Sequence, residues 1–305
     1  MLSGSMSGPS SPPADRRWLW PAFASPGTIW LIVFFAVPAY GVACVAFGRV
    51  DPIFRDAIPV WNPLQWNFDS AGEVLRSVVD GPLRGVFLRT IVYVVAAVAL
   101  CFLIGYPIAY WLARHDGPRR TLVLGLIVIP FWVSFLMRLL AWVNLLEPDG
   151  WFTRIARAIG VEQNWLNGNH GTVVIGLVYG YVPFLILPLY ASLERLDWRL
   201  VEAARDLGAG ARQAFLRVTL PLSRPGLAAG AVLTALPMFG DYYTNDILSR
   251  SPRTEMIGNQ IDFFLNQSSQ KTKGATLVLL LSVLLAIAMS WYLASIARAR
   301  RETST

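Results

Sequence analysis

The stretch EAARDLGAGARQAFLRVTLP, residues 202–221, decides how this chain is read. It is a polar island, with Glu202 and Asp206 among Arg205, Arg212 and Arg217, and it lies between two long apolar runs at 172–193 and 225–248. The alanine-rich, charge-alternating sequence on either side of Gly208 and Gly210 reads as two short amphipathic helices joined at a glycine turn, the second ending near Pro221. Connections between packed elements run to about 4–6 residues. The polar segment here, 195–224, is far longer and has a helical pattern of its own, so it reads as a docking surface rather than a plain connector.

The flanks set the solvent. Hydrophobic residues make up 55% of the 305 and charged residues 15%, against about 25% charged in soluble domains. Lipid is therefore the expected surrounding. The excess of 26 Lys and Arg over 19 Asp and Glu would suggest nucleic acid in a soluble chain; in a lipid-embedded one it sets orientation, and no nucleic-acid partner is expected. Crossing the hydrocarbon takes about 20 apolar residues. Runs at 28–48, 90–113, 172–193 and 275–297 meet this without a charge, 121–146 meets it with Arg138 alone, and 225–248 meets it until Asp241 and Asp246. The expectation is an all-α integral membrane bundle of six transmembrane helices, one membrane domain over 18–301, after a disordered tail of Ser, Pro and Gly at 1–17. Lys and Arg total 14 on the side of the termini and 10 on the other, and the short Arg114–Arg120 turn carries three of the 14. Short loops weigh most in orientation, so both termini and residues 195–224 are placed in the cytoplasm. The segment 49–85, with VWNPLQWNF, is long enough for short helices at the outer interface, where Trp is at home.

Chemistry is sparse. Cys44 and Cys101 lie in apolar runs, and His115 and His170 have no ligand-type neighbours at metal spacing, so no metal site and no cofactor are assigned to the chain. Paired catalytic carboxylates and a nucleophile with its base are missing, which argues against an enzyme. The G-x-x-x-x-G-K-[ST] phosphate loop is missing as well, so if ATP drives this protein, ATP and Mg are bound by another chain. Prolines 38, 107, 130, 183, 188 and 237 fall inside apolar runs, as helices that bend around a path would have them.

On these residues the chain resembles a known family. Glu202, Ala203 and Ala204, Gly208 after three further residues, then Val218, Leu220 and Pro221 match the EAA loop of bacterial ABC importer permeases, with Val218 where isoleucine is usual. Segments such as GYPIAYWLAR (105–114), VIPFWVSFLMRLLAW (128–142) and LPMFGDYYTNDILS (236–249) are similar to permeases of the spermidine/putrescine type. The resemblance implies a type I importer permease (MetI-like) fold and a loop that seats in the ATPase subunit. It also implies as partners a second homologous permease, two cytoplasmic ABC ATPase subunits and an extracytoplasmic polyamine-binding protein. The same machine with iron, an oxyanion or a sugar as solute is the alternative, followed by a stand-alone secondary transporter.

For the solute, residues 237–246 are informative. A carboxylate inside a span is costly and marks function by default. On a straight helix from Pro225, Asp241 lies roughly 24 Å along, and the two aspartates point roughly 140° apart. Asp241, Tyr242, Tyr243 and Asp246 are the candidate path residues, offering aromatic faces and carboxylates to an alkylammonium ion. The competing reading pairs Asp241 structurally with Arg138, the basic residue deep within a span.

Overall fold

The computed structural model describes residues 19–302 apart from residue 55; the tail at 1–17 lies outside the described residues. The chain opens with α1 (Leu19–Ala46), followed by a two-strand antiparallel ribbon, β1 (Arg49–Val50) and β2 (Ala57–Ile58), and by α2 (Asp69–Val79). Next come α3 (Leu83–Arg114), α4 (Pro118–Val128), α5 (Phe135–Leu146), α6 (Trp151–Ala158) and α7 (His170–Glu194). Residues 195–223 hold α8 (Arg199–Asp206), α9 (Ala211–Ala214), a π turn (Phe215–Thr219) and α10 (Leu220–Leu222). The chain closes with α11 (Arg224–Phe239), a second π turn (Asn245–Ser249), α12 (Ile257–Asn266) and α13 (Lys271–Glu302). The fold is thus helical as expected, with the small ribbon and α2 filling the 49–85 segment.

Among the described residues, four helices are long and apolar enough to cross a bilayer, and a fifth crossing is counted if the bent pair Pro118–Trp132 and Phe135–Leu146 is one span. The expected straight spans at 121–146 and 225–248 are not straight. The first bends by 97° around Val133 and Ser134, after a 3₁₀ turn at Ile129–Trp132 with Pro130 as its second residue. The second ends at Phe239 and resumes at Tyr243.

Helices α3, α7 and α11 pack as the core, around fully buried Leu112, Leu177, Leu185, Leu189 and Met238. Apolar side chains gain little by leaving lipid, so close backbone approach drives such packing and small residues mark it. A Cβ on Gly226 would lie 2.2 Å from Ser192 Cβ, and one on Gly230 3.0 Å from the Leu185 carbonyl oxygen; these two glycines let α11 lie against α7. Gly105 does the same for α3, where a Cβ would meet Leu185 Cδ2 at 2.9 Å. Helices α1 and α13 pair at the periphery, and α1 leaves Phe23, Trp30, Leu31 and Phe35 facing outward, as a lipid-bathed helix should.

Candidate coupling surface and solute path

The polar loop folds as its sequence dictates. α8 stops in a Schellman motif: Gly208 N–H donates to the Arg205 carbonyl (2.9 Å) and Ala209 N–H to the Ala204 carbonyl (3.0 Å). Such an ending requires a left-handed residue at Gly208, whose φ is +91°, and this is why a glycine stands four residues after Ala204. Val201 turns inward and is buried, while Glu202, Ala203 and Gly208 are exposed and Ala204 is half-buried. After the turn, Ala214 and Thr219 are buried, and Val218, Leu220 and Pro221 are half-buried. The second helix runs through the π turn to a break at Ser223. Between the two helices lies an open depression of about 440 Å³ lined by Glu202, Arg205, Asp206 and residues 208–211. It is polar, outward-facing and shaped by the backbone, which suits a protein partner rather than a small molecule.

At the other site the structure corrects the straight-helix geometry. α11 ends at Gly240, and Asp241 begins the next helical segment as its cap: one carboxylate oxygen accepts from Thr244 N–H (3.0 Å), the other from Thr244 Oγ1 (2.6 Å) and from the Tyr181 hydroxyl on α7 (3.1 Å). Asp241 is 5% exposed. Gly258 at the start of α12 presses on the break, where a Cβ would come 2.8 Å from the carbonyl oxygens of both Gly240 and Asp241.

The expected Arg138–Asp241 ion pair does not form; among the described residues Arg138 has no carboxylate within salt-bridge distance. Its guanidinium lies 4.9 Å from the Phe131 ring centre, 5.5 Å from Phe135 and 5.8 Å from Tyr179, and its Nε has no hydrogen-bond partner. An aromatic cage takes the place of the acid. Asp241 meanwhile meets its hydrogen-bonding needs locally.

The remaining candidates face outward. Tyr243 and Asp246 are exposed and Tyr242 is half-buried. The two tyrosine rings lie 4.0 Å apart between centroids, tilted by 31°. Asn259 on α12 donates its side-chain N–H groups to Asp246 Oδ1 (2.7 Å) and to the Tyr242 carbonyl (3.0 Å), and its own Oδ1 accepts from Met256 N–H (2.8 Å). Asp262 lies one turn further along α12. Tyr181, Asn259 and Asp262 were not singled out from sequence. The pair Gly240–Asp241, a helix stop followed by a capping residue, was the signal available for the break. No group of three or more His, Cys, Asp or Glu among the described residues is placed to hold a metal ion.

Long apolar helices packed through glycines, with an exposed, capped polar loop, describe a multi-pass membrane protein. Residues 105–301 match the family described as binding-protein-dependent transport system inner membrane component, and the chain belongs to that family. It is 34% identical over 265 residues to the spermidine/putrescine transport system permease protein PotB of Haemophilus influenzae, covering 86% of this chain and 89% of that one. With the PotB of Escherichia coli it shares 35% over 241 residues, 78% of this chain and 83% of the other. Among solved structures it resembles a chain of a bacterial alginate ABC transporter, with a TM-score of 0.69 at 18% identity over 95% of this chain and 97% of that one. A chain of the MetNI methionine ABC transporter gives 0.53 at 22% identity, over 71% and 94%. These last two likenesses concern the fold.

Proposed function

We propose that this chain is one of two permease subunits of an ATP-driven importer that carries the polyamines spermidine and putrescine across the cytoplasmic membrane. In this reading the chain crosses six times, the bent α4–α5 pair and the broken α11 segment each serving as a span, with both termini in the cytoplasm. The loop 195–224 seats in one of two ATPase subunits that bind ATP and Mg, and a binding protein delivers the solute from outside. This chain itself catalyses nothing. The observation that carries the proposal is identity of 34–35% to spermidine/putrescine permeases across most of each chain.

The geometry is in keeping with a linear cation. Tyr242 and Tyr243 present two adjacent rings, and Asp246 presents an oriented carboxylate. An alkylammonium ion passing there exchanges water for a charge-assisted hydrogen bond and a ring face. Asp241 holds the break open for that face instead of touching solute. Docking and closure of the ATPases against the loop would switch the broken helices between inward and outward access, a bistable rearrangement of packed elements.

Cells stripped of their own polyamine uptake, supplied with this chain and its partner subunits, should accumulate labelled spermidine. Accumulation of another solute in its place would keep the machine and reject the polyamine.

A further inference from the structure

The loop 195–224 is joined covalently to α7 and α11, yet its side chains are held by α3, which is remote from it in sequence. Trp198, ahead of α8, meets the Tyr110 ring edge-on at 5.7 Å, and the Arg114 guanidinium lies 5.0 Å over the Trp198 ring. Phe215, beyond α9, meets Tyr106 at 5.3 Å and Tyr110 at 5.9 Å, again edge-on. The fully buried Ser223 donates to the Leu220 carbonyl (3.0 Å), so its oxygen accepts from the Tyr106 hydroxyl (2.9 Å). Both stems of the loop are therefore gripped by one face of α3, about two turns long. Pro107 falls inside this stretch, beyond Tyr106 as counted from the far end of the helix.

The far end of the same 32-residue helix reaches the candidate path. Arg89 Nε donates to the Glu255 carbonyl (2.8 Å), and Thr90 Oγ1 accepts from Ile257 N–H (2.8 Å). Ile257 opens α12, whose Asn259 holds Asp246 and the Tyr242 carbonyl.

We propose that α3 is the lever of this subunit: its Tyr106–Tyr110–Arg114 face clamps the coupling loop, and its Arg89–Thr90 end transmits the loop's displacement to α12 and the Tyr242–Asp246 face. The proposal rests on the reading of 195–224 as the ATPase-docking loop and adds the route by which docking reaches the solute. Two anchored ends on one continuous helix move together, and the stretch from Arg89 to Tyr106 that joins them holds no proline; α3 packs along α7 in the core, so its displacement carries that packing with it. Tyr106, Tyr110 and Thr90 are positioning residues and touch neither solute nor nucleotide.

The test uses the complete complex with its ATPase pair and binding protein in proteoliposomes, and reads solute moved per ATP hydrolysed. Tyr110→Ala removes both edge contacts and should lower that ratio about fivefold or more, while Tyr110→Phe keeps the ring and should stay within about twofold of the original. Thr90→Val keeps the shape of the side chain and leaves the loop untouched, so the ATPases dock as before; it should also lower the ratio about fivefold. An unchanged ratio in Thr90→Val, or equal losses in Tyr110→Phe and Tyr110→Ala, overturns the lever. If Tyr110→Ala fails to assemble, Thr90→Val alone decides. A wild-type complex that moves solute without any dependence on ATP overturns the docking reading itself, and the lever with it.

Discussion

Gly208 offers a sharp test of the coupling surface because two glycines of one turn make different demands. A Cβ placed on either Gly208 or Gly210 meets nothing within 4 Å, so neither position is closed by packing. Their backbones differ: Gly208 has φ +91°, and Gly210, at the start of α9, has φ −63°. A left-handed conformation costs an L-residue about 1–2 kcal/mol. If the turn must keep its shape to dock, Gly208→Ala shifts that equilibrium by a factor of about 5–30. Gly210→Ala carries no such penalty. Gly208→Asn should fall between, since asparagine enters the left-handed region more readily than alanine. The assay is titration of the detergent-purified permease pair with the ATPase subunit, read as binding and as coupled uptake. Membrane yield should be the same for all variants, because the change sits on an exposed turn. Equal binding by Gly208→Ala and Gly210→Ala would refute the claim that the Schellman ending shapes the docking surface, and loss of membrane yield in Gly208→Ala would refute the claim that it is external to the packed fold.

Three further outcomes follow from the site geometry. Asp241→Ala should cost stability, about 0.5–2 kcal/mol for the lost cap and about 1–3 kcal/mol for the stranded Tyr181 hydroxyl, seen as a lower melting temperature in detergent; unchanged stability with lost uptake would make Asp241 a solute contact instead. Asp246→Asn should leave stability alone and weaken uptake at low solute by roughly tenfold, the equivalent of one charge-assisted hydrogen bond near 1.4 kcal/mol; wild-type uptake would remove Asp246 from the path. Arg138→Met keeps the aromatic contacts and removes a buried cation with no acid beside it, so the melting temperature should hold or rise; a clear drop would reveal a carboxylate partner in the assembled transporter.

The helix–turn–helix shape of the 195–224 loop was legible because its determinants are local. Glu202, Ala203, Ala204 and Gly208 lie within two helical turns, and the hydrogen bonds that end α8 join Ala204 and Arg205 to Gly208 and Ala209, a pattern that sequence spacing records directly. The four unbroken spans were legible for a similar reason, since uninterrupted apolar length is all that a membrane helix requires. The break at Asp241 was not read, although Gly240–Asp241 signalled it, because a hydropathy scan weighs apolar length and passes over caps. Its stabilising partners are also distant: Tyr181 stands 60 residues earlier and Gly258 on another helix. Arg138 misled for a different reason. The usual partner of an intramembrane cation is an acid, and here three aromatic rings drawn from either side of the bend and from α7 take that place. Asn259 and Asp262 lie on α12, which reaches the face only through tertiary packing.

The central claim is that this chain forms part of an ATP-driven route for a polyamine. Proteoliposomes holding the chain, its partner permease and the ATPase pair, with ATP inside the reach of the ATPases and the binding protein on the opposite side, measure it directly. Labelled spermidine should cross only when ATP is hydrolysed, and unlabelled putrescine should compete. Spermidine flux that is indifferent to ATP, or ATP-driven flux of another solute that spermidine does not affect, would contradict the account.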